Sequence, residues 1–180
     1  YNIKYNVADQ TDISHVQETL DDSDLLLDFF INKENTYVLY ITNNNVSLKT
    51  LETELLTDAI KIFHKSVSSK PNKSAFEINR FYDAGHTIYT SIFSDDIIKN
   101  NSIQNLIIVP DGLLHTVSFG CLPTHQKTEP INYLIERFNI SYLFSGTQLL
   151  NSKSSQLKPS KILAMAPNFS PDVQKVNSCA

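Results

Sequence analysis

The stretch Asn105-Leu-Ile-Ile-Val-Pro-Asp-Gly-Leu-Leu-His-Thr-Val-Ser-Phe-Gly-Cys-Leu122 decides how this chain is read. Leu106 to Val109 is a short, continuous apolar run, and Pro110-Asp111-Gly112 ends it abruptly. A run that is apolar on both faces and bounded by turn residues reads as a strand buried within a sheet. Proline presets one turn dihedral, aspartate can accept from the backbone that follows, and glycine tolerates positive φ, so the chain reverses here. Leu114, Val117, Phe119 and Leu122 then carry enough apolar surface to fold back onto that sheet.

Working outward, residues 12–20 place Ile13, Val16 and Leu20 on one helical face, and Ser14 and Gln17 have capping-box spacing. Residues 24–31, 37–42 and 46–51 read as three strands, with Asn-rich turns at 32–35 and 43–45, so antiparallel hairpins are expected. Two helices follow. In the first, Leu51, Leu55, Ala59, Ile62, Phe63 and Val67 share a face, and residues 68–73 break it. In the second, Ser74 and Glu77 form a capping box, and Ile78, Phe81, Tyr82, Gly85, Ile88, Tyr89 and Ile92 keep helical period. Gly85 on that apolar face would let another backbone approach closely.

Beyond the central turn, residues 131–138 fit a strand or a short helix, the helix slightly better. Ile140–Phe144 reads as a strand. Ser145 and Gln148 have capping-box spacing for a crossover helix near 146–152, which would be right-handed. Residues 151–160 form a polar linker, and Ile162–Ala166 is a second buried-type strand closed by Pro167-Asn168. A β-rich entrance followed by strand–helix alternation implies an α/β/α sandwich with a mostly parallel central sheet and an antiparallel hairpin edge.

The 180 residues suffice for one domain with a sizeable core, burying roughly 70% of the unfolded surface. The net charge of −4 argues against a nucleic-acid-binding domain, and no apolar run approaches the ~20 residues of a membrane span. The polar start, with Lys4, Asn6 and Asp9, does not read as a signal peptide, and Tyr1 in place of Met suggests a piece of a longer chain. Two distant cysteines, Cys121 and Cys179, make neither a disulfide framework nor a zinc site and point to a reducing, cytoplasmic compartment. The Asn- and Lys-rich composition hints at a bacterial source.

Cys121 and Cys179 are the candidate nucleophiles, and His15, His64, His86, His115 and His125 the candidate bases. His115 and Cys121 lie six residues apart beyond a strand end, where open α/β sheets place their sites. A dyad needs the imidazole within hydrogen-bond reach of the thiol. The plainer reading has His115 bonding the turn and Cys121 as a small buried apolar residue. His64 and His86 fall within amphipathic helices, and Cys179 in a polar tail. Asp21-Asp22 and Asp95-Asp96 read as solvated turn or cap residues. No metal-ligand spacing and no Gly-rich phosphate loop occurs, so neither a metal nor a cofactor is expected.

The order of these pieces resembles the CHAT domain, a caspase-related module found beside tetratricopeptide repeats. The resemblance rests on residues 23–42, 105–122, 131–150 and 162–169, and above all on Pro-Asp-Gly after a buried strand and on Tyr133-Leu-Ile-Glu136…Ile140-Ser-Tyr142…Ser145. The family commonly has Pro-Phe where this chain has Ser118-Phe119. The resemblance implies structural roles: Pro110, Asp111 and Gly112 shape the turn, and Phe119 and Leu122 seal it. Tyr142 and Ser145 would fix the strand-to-helix junction, with Ser145 as N-cap. The loop from Pro167 to Asp172, including Asn168 and Phe169, would begin a substrate-facing rim.

CHAT domains resemble separase and caspases, peptidases with a His–Cys dyad. The family's His follows a strand and precedes a Gly, its Cys follows the next strand, and no stretch here matches either. The resemblance therefore implies no catalytic residue in this chain. Residues 1–150 would be the scaffold, pseudo-protease part of the domain, and 161–180 the first strand and start of the protease half. Its expected partners are proteins: the C-terminal half of its own domain, upstream repeats and a protein substrate. Three readings stand at this point. One is a non-catalytic half of a cysteine endopeptidase. Another is a protein-interaction module without catalysis, which predicts exposed apolar surface. The last is a self-contained hydrolase using His115 and Cys121, which predicts contact between them.

Overall fold

A computed structural model describes residues 12–68, 74–93, 102–125 and 131–154, the side chains of the last four excepted. Among these residues, five strands form one sheet in the order β3-β2-β1-β4-β5. They are β1 (Asp24–Ile31), β2 (Asn35–Ile41), β3 (Val46–Glu52), β4 (Asn105–Val109) and β5 (Asn139–Tyr142). The β1–β2 and β2–β3 pairs are antiparallel, and β1–β4 and β4–β5 are parallel. The fold is α/β as expected, but the sheet is evenly mixed, not mostly parallel. The hairpin contributes as many pairings as the crossover strands, because Asn-rich turns return the chain at once. Asn32 shows how: its Oδ1 accepts from the backbone N–H groups of Glu34 (2.9 Å) and Asn35 (2.8 Å).

Helices α2 (Thr53–Ser68) and α3 (Ala75–Ile92) cover one face of the sheet. Helices α1 (Ile13–Thr19) and α4 (Gly146–Ser154) contact each other and share a smaller core on the other face. Side chains alternate across a strand, so Leu25, Leu27 and Phe29 enter the larger core while Leu26 enters the smaller one. β4 is buried from Leu106 to Val109, as its unbroken apolar run requires.

The α3 capping box is present: Glu77 N–H donates to Ser74 Oγ, and Ser74 N–H donates to Glu77 Oε2. At the other end of α3, Tyr40 on β2 donates its hydroxyl to the Ile92 carbonyl, one of the groups a helix terminus leaves unpaired. Burial holds the Tyr40 phenol well above its usual range.

Several local expectations are corrected. In α2 the buried residues are Leu56, Ala59, Ile60 and Phe63, while Leu55 and Val67 are exposed. Leu51 belongs to β3, so the helical face starts elsewhere. Gly85 admits rings and not another backbone: a Cβ there would lie 2.7 Å from Pro123 Cδ and 2.9 Å from Phe63 Cε2. Asp12, not Ser14, caps α1, accepting from Ser14 N–H. Residues 131–138 contain a 3-10 turn at Leu134–Glu136 in place of an α-helix, preceded by an isolated β-bridge from Tyr133 to Pro123. The helix expected near 146–152 runs to Ser154, so residues 151–154 of the expected linker are helical. The strand at 162–166, the loop bearing Asn168, Phe169 and Asp172, Cys179 and Asp95-Asp96 lie outside the described residues.

Candidate functional site at the carboxyl ends of the parallel strands

β1 and β4 are parallel neighbours, with Asp28 in register with Val109. From β1 the chain turns out to β2, and from β4 it proceeds to β5 on the opposite side. Where connections diverge in this way, an open sheet leaves a crevice beyond the carboxyl ends of its strands. Here the crevice is a pocket of about 490 Å3 whose lining includes Asp28, Pro110, Asp111, Ser145 and Gly146.

The turn that shapes it is built as its residues dictate. Gly112 has φ +51°, where a side chain would be strained. Asp111 caps the 3-10 turn Gly112–Thr116, with Oδ1 accepting from Gly112 N–H at 2.8 Å. Its Oδ2 accepts from Ile31 N–H at 2.7 Å, binding the turn to the end of β1. Leu114, Val117, Phe119 and Leu122 are all buried, so the segment after the turn does fold back onto the sheet. The Tyr142 hydroxyl accepts from Phe119 N–H at 3.2 Å, and the Phe119 ring lies between the others, its centroid 6.0 Å from that of Phe29 and 6.2 Å from that of Tyr142. Burial raises the Tyr142 phenol, although the Phe119 N–H pulls the other way.

Asp28 is on the face of β1 that carries Leu26, half-buried in the crevice. Its carboxyl is held above the usual aspartate range, first by burial and then by the neighbouring Asp111 charge. No hydrogen bond or ion pair to it occurs among the described residues. Phe30 (62% exposed) and Phe144 (87%) stand at the rim.

Ser145 sits at the entrance to α4, its carbonyl accepting from Gln148 N–H at 3.1 Å. The Gln148 side chain reaches back to Phe144 N–H at 3.0 Å, one residue earlier than a capping box at Ser145 would place it. His115 and Cys121 are both exposed, so Cys121 is not the buried apolar residue expected. Ser118 and Cys121 Sγ are 3.5 Å apart through the serine hydroxyl, and no hydrogen bond joins His115 to Cys121 among the described residues. His15, His64 and His125 are exposed. His86 is half-buried against Tyr89, with its Nδ1 unpartnered. Among the described residues, no three His, Cys, Asp or Glu side chains group as metal ligands, and no helix is long and apolar enough to cross a membrane.

Sequence reading missed Asp28. Its signal was present: a lone carboxylate inside the otherwise apolar run Leu25–Ile31.

No curated protein matches this chain. A family model described as CHAT domain matches residues 83–177, more than half of the sequence. The span begins within α3 and takes in β4, the Pro110–Gly112 turn, β5 and α4. These are the elements that wall the crevice from one side and carry the turn described above; the chain belongs to the CHAT domain family.

Proposed function

We propose that this chain is the non-catalytic, N-terminal scaffold of a CHAT-family cysteine endopeptidase of the caspase–separase type, acting in the cytoplasm of a bacterium and joined to tetratricopeptide repeats. Residues 1–150 are its pseudo-protease part, and 161–180 begin the half that carries the chemistry. In the complete enzyme a thiolate from that other half attacks a peptide carbonyl, an imidazole serves as acid and base, and backbone amides hold the oxyanion. Asn168, Phe169 and Asp172 contribute to the substrate-facing rim.

The observation that carries this reading is what occupies the carboxyl end of β4. The first polar side chain there is Asp111, and both of its oxygens accept backbone N–H groups. That is the work of a structural residue. His115 and Cys121, the nearest base and nucleophile, are separate and exposed. Among the described residues β5 pairs on one side only, with β4, and its other edge would suit a strand of the catalytic half.

A second reading, an interaction module with no peptidase attached, is favoured by Phe144 at 87% exposure and Leu48 at 62%, since exposed large apolar groups mark contact surfaces. A protease site engineered between residues 155 and 160 of the natural polypeptide separates the two. The scaffold reading expects the cut halves to co-elute on gel filtration and to lose thiol-dependent peptidase activity when parted. A downstream part that elutes alone and stays fully active contradicts it.

A further inference from the structure

Among the described residues, the crevice carries two carboxylates and no cationic side chain. Its lining holds Asp28 and Asp111 but no Lys, Arg or His. Asp111 has already given each oxygen to a backbone N–H, whereas Asp28 has no partner among the described residues. The α4 N-terminus lies close by: a Cβ on Gly146 would stand 3.9 Å from Asp28 Oδ2. A helix terminus offsets part of one negative charge, not two. The pocket therefore favours a cation.

The kind of cation follows from the walls. A metal ion would want three or more hard ligands, and among the described residues no such group exists. The walls are instead apolar and aromatic. Ile13, Leu39, Phe30 and Phe144 surround the carboxylates. An extended apolar row leads up to them, for Leu48 pairs with Leu39 and Leu39 with Asp28 across the sheet. Phe30 stacks on Tyr37, with centroids 6.3 Å apart. A guanidinium suits this setting. It is weakly hydrated, stacks on aromatic faces and offers forked N–H donors to carboxylates. Leu39 is half-buried in the pocket wall and Leu48, next to it on β3, is exposed beyond the pocket, a place for an apolar neighbour of the cation such as a polypeptide carries. The chain's own arginines are engaged elsewhere, Arg80 over Phe76 and Arg137 over Phe138.

We propose that the crevice between Asp28 and Asp111 is a docking site for an arginine side chain of a partner polypeptide, with a flanking apolar residue of that partner lying on the Leu39–Leu48 row. The inference goes beyond the scaffold reading and does not use the β5 edge.

The test is a titration of the isotopically labelled full chain, followed by backbone amide shifts. The probe is the peptide Ac-Leu-Arg-Leu-NH2, and Ac-Leu-Gln-Leu-NH2 is its control. The arginine peptide is expected to move the amides of Asp28, Ile31 and Gly146 in a saturable way. The glutamine peptide, and the arginine peptide on Asp28→Asn, should bind at least tenfold more weakly. Leu48→Ser, at an exposed position that leaves both carboxylates intact, should weaken binding about threefold. Equal shifts from both peptides, undiminished binding by Asp28→Asn, or no saturable shift at these amides each overturns the proposal. None of these results bears on whether the halves co-elute, so the scaffold reading stands or falls separately.

Discussion

Asp111 Oδ2 accepts the backbone N–H of Ile31 at 2.7 Å, across 80 residues of sequence. This bond fixes the end of β1 to the turn that follows β4, and so sets the width of the crevice between them. The same carboxylate caps Gly112. Asp111→Ala leaves the part-buried Ile31 N–H without its acceptor, which costs about 1–3 kcal/mol. Urea denaturation should show a lower midpoint with an unchanged slope. An unaltered midpoint would mean that the turn is held by its apolar residues alone.

Gly85→Ala sets two effects against each other. Alanine in a helix interior is favoured over glycine by about 1 kcal/mol. The added Cβ, however, would meet Pro123 Cδ at 2.7 Å and Phe63 Cε2 at 2.9 Å. Phe63 is fully buried and cannot swing aside. Overpacking of this kind costs about 1–3 kcal/mol, so the net result is destabilisation. A thermal melt above that of the parent would show that the rings yield more readily than their packing implies.

Asp28→Asn should stabilise the chain, in a pH-dependent way. The folded carboxyl titrates above its unfolded value of 3.8, so folding favours the protonated form. The associated stability is present below pH 3.8 and is lost as pH rises through the folded value. At neutral pH the variant therefore melts higher than the parent, and the gap closes as the pH falls below 3.8. A gap of the opposite sign at neutral pH would mean that the charged carboxylate has a favourable partner.

Much of this architecture is legible in the sequence. Pro110-Asp111-Gly112 punctuates the sequence with three residues that each restrict the backbone differently, and Ser74 and Glu77 announce the start of α3 from side chains alone. These are local signals. The α2 face was misjudged because Leu51 and Leu55 extend an apolar period across a boundary, and burial is decided by where α3 lies, with Phe63 stacked on Phe81 at 5.1 Å. The crevice was not legible at all. Asp28 and Asp111 become neighbours only when β1 and β4 pair, across 76 intervening positions between Asp28 and Asn105 that include β2, β3, α2 and α3. The likeness to the CHAT family supplied roles for Asp111 and Tyr142 but said nothing of Asp28.

Cys121 is an exposed thiol that accepts from the Ser118 hydroxyl, with no link to His115. Its rate of alkylation by iodoacetamide should be the same in the parent and in His115→Ala. A drop of tenfold or more in the variant would reveal a dyad formed in solution and revive the hydrolase reading.

The central claim, that this sheet is the scaffold of a larger CHAT-family peptidase, is tested most directly by the intact mass of the natural polypeptide with peptide coverage beyond Ala180. The account predicts a longer chain, whose added part contains a strand followed by His-Gly and a later strand followed by Cys. A natural polypeptide that ends near Ala180 would contradict it.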